Sequence, residues 1–233
     1  MEKVKRKLFI GIDLGWKEKK TTGLCVLEVA ETSSHLASRL ASRDSANETP
    51  VLLKEVFGKD VVKTINPYLK DVMVIAVDAP LTRGKGKGKM RLYEKFLSTR
   101  IFRQEKANPT PPILMPKLSD MAEEVAEALK KKGFALNINL IETSTHLIRK
   151  LCQGTAVFKN HLTKNENQES AFICAKVASL HSEFRTRWLG YKDGFLFLPE
   201  MSFWKKDWKE KFYQAWREKP RLNYRYLVTN IFH

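Results

Sequence analysis

Cysteine is scarce in this chain. Its three residues, Cys25, Cys152 and Cys174, sit in apolar surroundings with no Cys-x-x-Cys spacing. Three thiols cannot build a disulfide framework or a structural zinc site, so they are expected as reduced core thiols. Long apolar runs are also missing: none reaches the ~18 residues that span a bilayer, which argues against a membrane partner. The basic start, Met1 to Lys7, precedes an apolar stretch that is short and broken by Asp13, with no small-residue cleavage site. No signal peptide is expected, and the expected location is cytoplasmic. Other absences narrow the chemistry. There is no His-Glu-x-x-His, no Gly-x-Ser-x-Gly elbow and no Walker A spacing. The five histidines show no paired ligand spacing.

Acids are few against bases: 26 Asp and Glu face 42 Lys and Arg, for a net charge of +16 at pH 7. Such an excess favours polyanions through phosphate contacts and counterion release. The charge is clustered, with nine basic residues against two acids between Arg83 and Lys106. Within that stretch Arg83, Lys85, Lys87, Lys89 and Arg91 are the candidate contacts to a nucleic-acid backbone. A second basic segment, 204–219, interleaves lysines with Trp204, Trp208, Phe212 and Trp216. Their spacing is that of a buried helix face more than that of a base-stacking platform.

At 233 residues the chain fits one large domain with an elaborated tail. Apolar segments at 8–15, 23–29, 51–57, 72–80 and 138–143 read as strands. Helices are expected over 60–69, 90–101, 119–132 with Ser119 as N-cap, 146–152 and 166–186. Asp193-Gly194 turns into an apolar run, 195–199. Hairpins first and crossovers later predict an α/β fold, a mixed five-stranded sheet flanked by helices. The expected domain covers 1–200 with insertions near 30–50 and 82–135. An aromatic and basic extension, 201–233, is expected to pack on it.

Three of the strands end on an acid: Asp13, Asp78 and Glu142. Glu169 lies in the first turns of the helix over 166–186, with Glu166 one turn before it as a substitute or assistant. Converging carboxylates repel one another unless cations bind between them, and hard oxygen ligands favour Mg²⁺ or Mn²⁺. Two such ions about 4 Å apart would activate a water and stabilise the leaving oxygen of a phosphodiester. Asp13, Asp78, Glu142 and Glu169 are therefore the candidate metal-binding and catalytic residues.

Gly11-Ile12-Asp13-Leu14-Gly15, Val77-Asp78-Ala79-Pro80-Leu81, Ile141-Glu142-Thr143, the helix from Glu169 to Ala175 and Gly194 to Pro199 occur in an order that resembles a known family. This is the family called domain of unknown function 429, predicted RNase H-like nucleases, and the likeness covers residues 7–200. It implies a ribonuclease H-like fold, with Asp13, Asp78 and Glu142 as the acids of a divalent-metal site and Arg91 as the arginine after the second motif. The chain departs from the pattern in having Tyr93-Glu94 where the family has Cys-Asp, Glu169 where it often has Asp, and no proline after Glu142. The reading that follows is a metal-dependent nuclease of DNA or RNA, with a homodimer left open by the dimeric junction resolvases of this fold. Two alternatives stand beside it. Gly-Ile-Asp-Leu-Gly also opens the first phosphate motif of actin-like and sugar-kinase phosphotransferases, although this chain is short for two such lobes. A nucleic-acid-binding module without turnover would keep the fold and the charge.

Overall fold

A computed structural model describes residues 6–15, 19, 21–30, 48–83, 90–110, 112–152, 154–219 and 224–232. β1 (Arg6–Asp13), β2 (Thr22–Ala30) and β3 (Glu48–Val56) form an antiparallel meander. The short helix α1 (Val61–Ile65) leads to β4 (Val72–Asp78), which pairs parallel to β1. The chain then makes a long excursion through α2 (Leu92–Leu97), α3 (Arg100–Gln104) and α4 (Pro116–Lys130). It returns as β5 (Leu140–Glu142), parallel to β4. The result is the expected five-stranded mixed sheet flanked by helices, in the order β3-β2-β1-β4-β5.

β1 and β4 are apolar up to their terminal acids, from Leu8 and Val72 onward, because both of their faces are covered. Ile10, Ile12, Ile75 and Val77 pack on one face with Leu118, Ala122, Val125 and Leu129 of α4. Phe9, Val74 and Ala76 pack on the other face, under α6 (Glu166–Ser182). That helix is buried on nearly every side, between the main sheet and a second one. It lies so close that a Cβ at Gly11 would run into the Ala171 carbonyl oxygen, and one at Gly23 into that of Asn167. Glycine in β1 and β2, with Ala171 and Ala175 opposite, is what lets helix and sheet meet at that distance.

Several element boundaries differ from expectation. α4 starts at Pro116, whose fixed φ suits a first helical position, and Ser119 lies inside it, donating to the carbonyls of Met115 (3.2 Å) and Pro112 (3.3 Å). The expected helix over 90–101 is two, broken at Ser98-Thr99, and that over 60–69 is one turn of α-helix between 3₁₀ turns. α6 stops at Ser182 because Phe184 takes a left-handed φ of 59°, which closes the helix through Arg185 N–H to Leu180 O (2.8 Å). β6 (Thr186–Tyr191) follows, pairs with β7 (Gly194–Pro199) across the Asp193-Gly194 turn, and with β8 (Val228–Thr229) forms the second sheet.

α7 (Lys206–Glu218) carries the aromatic tail. Trp204, Trp208 and Phe212 are buried in the main core, where Phe212 meets Phe102 edge-on at 4.9 Å and Trp204 donates from its indole to Pro199 O (2.8 Å). Rings held this way have no open face for a base. Among the described residues no helix is long and apolar enough to cross a membrane. The 31–47 part of the expected insertion lies outside the described residues.

Candidate active site

β1 and β4 run parallel in a register that sets Asp13 directly beside Asp78. Side chains alternate along a strand, so both acids point to the face that carries Phe9, Gly11, Val74 and Ala76, the α6 face. Each sits at the last position of its strand. Neighbouring elements then close over them. Ser144 caps α5 (Thr145–Leu151), and Thr145 donates to Asp78 Oδ2 from its backbone N–H (3.1 Å) and its hydroxyl. Ser170 of α6 bonds the Asp13 carboxylate, and Arg149 of α5 acts on both acids.

Electrostatics of the pair follow from burial and from neighbouring charges. Burial, then the charge of Asp78, pushes the Asp13 carboxyl up to about 8, while Ser170 and Arg149 only partly oppose it. Burial likewise raises Asp78, against the pull of the two Thr145 hydrogen bonds. Two adjacent strand-end carboxyls both raised above the ordinary range are unusual, and such perturbation is commonest at functional sites.

Glu142 is not part of that pair. It lies beside Val77, one residue short of Asp78, and strand alternation puts it with Val77 and Leu140 on the opposite parity. Its carboxylate is already held by other donors. Arg91 grips it with two bonds of 2.7 Å, the Leu81 N–H donates at 2.8 Å, and the Tyr93 hydroxyl donates as well. Glu94 takes the rest of the guanidinium, at 2.6 and 3.0 Å, and accepts from the Arg91 backbone N–H at 2.7 Å. Arg91 is thus corrected from a backbone contact to a core residue: it is 2% exposed, and three of its nitrogens are spent on carboxylates. Burial alone would loosen its proton, and the charges of Glu142, Tyr93 and Glu94 hold it more firmly.

The remaining expected residues are held by other partners, although the charge of Glu166 also reaches Asp13. Glu169 pairs with Arg149 at 3.1 Å, and Glu166 sits 3.8 Å from the same guanidinium. Arg83 is exposed and paired with Asp120 and Glu123 on α4. Lys85, Lys87 and Lys89 fall outside the described residues. Among the described residues, no group of three or more His, Cys, Asp or Glu is arranged to hold a metal ion. The donor set that the structure does bring together, two adjacent hard carboxylates that burial raises above the ordinary range, fits a single hard divalent ion.

Next to Asp78 the surface opens into a cavity of about 280 Å³, bounded by Tyr93, Asn108, Glu142, Ser144 and His146. His146 is anchored through Nε2 to the Lys106 carbonyl (2.7 Å). No family model, curated protein or solved structure matches this chain. The comparisons lend no support to the likeness to the domain of unknown function 429 family. Arg149, Thr145 and Ser170 are the site residues that sequence reasoning missed. A signal was present, because Arg149 lies in the expected helix 146–152 and Thr145 directly precedes that helix, just after a strand-terminal acid.

Proposed function

We propose that this chain is a divalent-metal-dependent nuclease that hydrolyses phosphodiester bonds of DNA or RNA. The observation that carries the reading is the Asp13–Asp78 pair, side by side at the ends of two parallel strands with both carboxyl pKa values raised. Asp13 and Asp78 would hold one Mg²⁺ or Mn²⁺, which when bound supplies Lewis-acid polarisation of the phosphate. Arg149 offers positive charge to the same phosphate, and Glu169 and Ser170 orient it through bonds of 3.1 and 2.8 Å. Thr145 fixes the rotamer of Asp78. Glu142, Arg91, Tyr93 and Glu94 hold the strand ends in place.

Labelled single-stranded, duplex and branched DNA and RNA, incubated with Mn²⁺, Mg²⁺ or chelator, test the proposal. Cutting that needs the ion and is lost in both Asp13→Asn and Asp78→Asn is the expected result. Tight, salt-sensitive binding without cutting would favour a binding module instead, a reading that the arginine-paired Glu142 and Glu169 also fit.

A further inference from the structure

The cations near the acid pair are unevenly placed. On α5, Thr145 faces Asp78, and four residues on, the same side of the helix carries Arg149. Arg149 also lines a second cavity, of about 340 Å³, that shares no lining residue with the cavity at Asp78. Its rim holds Arg149, Lys150, Lys159 and Thr155, and Phe158 and Ile173 form its floor. Glu169 is the single acid on that rim, and it already faces Arg149 at 3.1 Å. Among the described residues neither Lys150 nor Lys159 has a carboxylate partner. A cationic rim over an apolar floor, at the small end of the size range of ligand pockets, complements one nucleotide: phosphate on the rim, sugar and base on the floor. A bare inorganic anion would leave the floor unused.

We propose that this cavity seats the nucleotide next to the scissile phosphate, with Lys150 and Lys159 on its phosphate and Phe158 and Ile173 under its sugar and base. The assignment rests on the nuclease reading of Asp13 and Asp78. Continuity supports it, because Arg149 borders the acid pair on one side and the cavity on the other. A strand lying across Arg149 would reach both without bending away.

The experiment measures binding without turnover. The full chain carrying Asp13→Asn is titrated with a fluorescein-labelled single-stranded oligonucleotide at several salt concentrations, with and without Lys150→Ala and Lys159→Ala. We expect about tenfold weaker binding, and a log–log salt slope shallower by ~1.4, for two lost phosphate contacts. Unchanged affinity and slope would overturn the seat. An equal loss from Lys130→Ala and Lys131→Ala, at the end of α4, would overturn it too, by showing a diffuse basic coat. An abasic oligonucleotide that binds as well as the normal one would remove the floor from the assignment. Wild-type cutting with binding retained in the lysine variant would sink the seat and keep the nuclease. Absence of cutting with binding lost in that variant would sink the nuclease and leave a nucleotide-binding site.

Discussion

Replacing Asp13 with Asn interrogates the acid pair through stability alone, without any substrate. In the folded chain this carboxyl keeps its proton up to about pH 8, against an ordinary value of 3.8. Between those two values the folded chain binds a proton that the unfolded chain releases, so stability falls as pH rises through that window. At 1.36 kcal/mol per unit, the cost accumulated by pH 7 has an upper bound of ~4 kcal/mol. Relaxation and water penetration screen buried charge, which leaves ~2 kcal/mol as the working figure. Asparagine keeps the size of the side chain and its capacity to bond Ser170 while removing the charge. Asp13→Asn should therefore stabilise the protein at pH 7 and above, by ~4–8 °C in melting temperature for a chain of this size. The gain should shrink as pH falls and vanish only below the ordinary value of 3.8, where the carboxyl is protonated in both states. Thermal melts of both proteins at pH 4, 5.5, 7 and 8.5 decide the matter. No gain at pH 7, or a gain of equal size at every pH, would refute the electrostatic reasoning.

Further outcomes follow from the same contacts. Millimolar Mn²⁺ at pH 7.5 should raise the melting temperature of the wild type and leave Asp13→Asn unmoved, since ligand binding to the native state stabilises it; equal shifts would mean that the ion binds elsewhere. Glu142→Gln turns an acceptor towards the Arg91 guanidinium into a donor and strands buried charge, which should cost ~3–5 kcal/mol in urea unfolding. Gly11→Ala places a methyl against the Ala171 carbonyl and should cost ~2–3 kcal/mol by the same assay, unless α6 shifts freely. Arg83→Ala removes only exposed ion pairs with Asp120 and Glu123, and its effect on stability should stay below ~1 kcal/mol.

Where sequence reading succeeded, the signal was local. β1 and β4 are apolar runs ending on acids, α6 follows the helical spacing that starts at Glu166, and Trp208 and Phe212 lie one turn apart on the buried face of α7. Where it failed, the deciding partner was distant or unmarked. β6 follows α6 with no glycine or proline between them, because Phe184 makes the left-handed turn itself. Strand ends on Asp78 and Glu142 look alike in sequence, yet a pairing offset of one residue sends them to different faces. Nothing near Glu142 encodes that offset. Arg91 sits in a run of lysines and reads as surface, and its burial depends on a carboxylate 51 positions away. Arg149 went unread because an arginine in a short helix is ordinary until the fold sets it beside two acids.

Glu142 has a topological role as well. It accepts from the Leu81 N–H, 61 positions earlier, just where the chain leaves the sheet, and stands itself just where the chain comes back. One carboxylate is thus the drawstring at the neck of a bag that contains α2, α3 and α4. The entropy of closing such a bag rises only slowly with its length, by ~0.6 kcal/mol for each doubling. Lengthening the exposed loops between these helices is therefore cheap so long as the neck stays tied, whereas α2 and α4 themselves carry core residues and are not expendable. New termini, or a guest domain, belong in those loops.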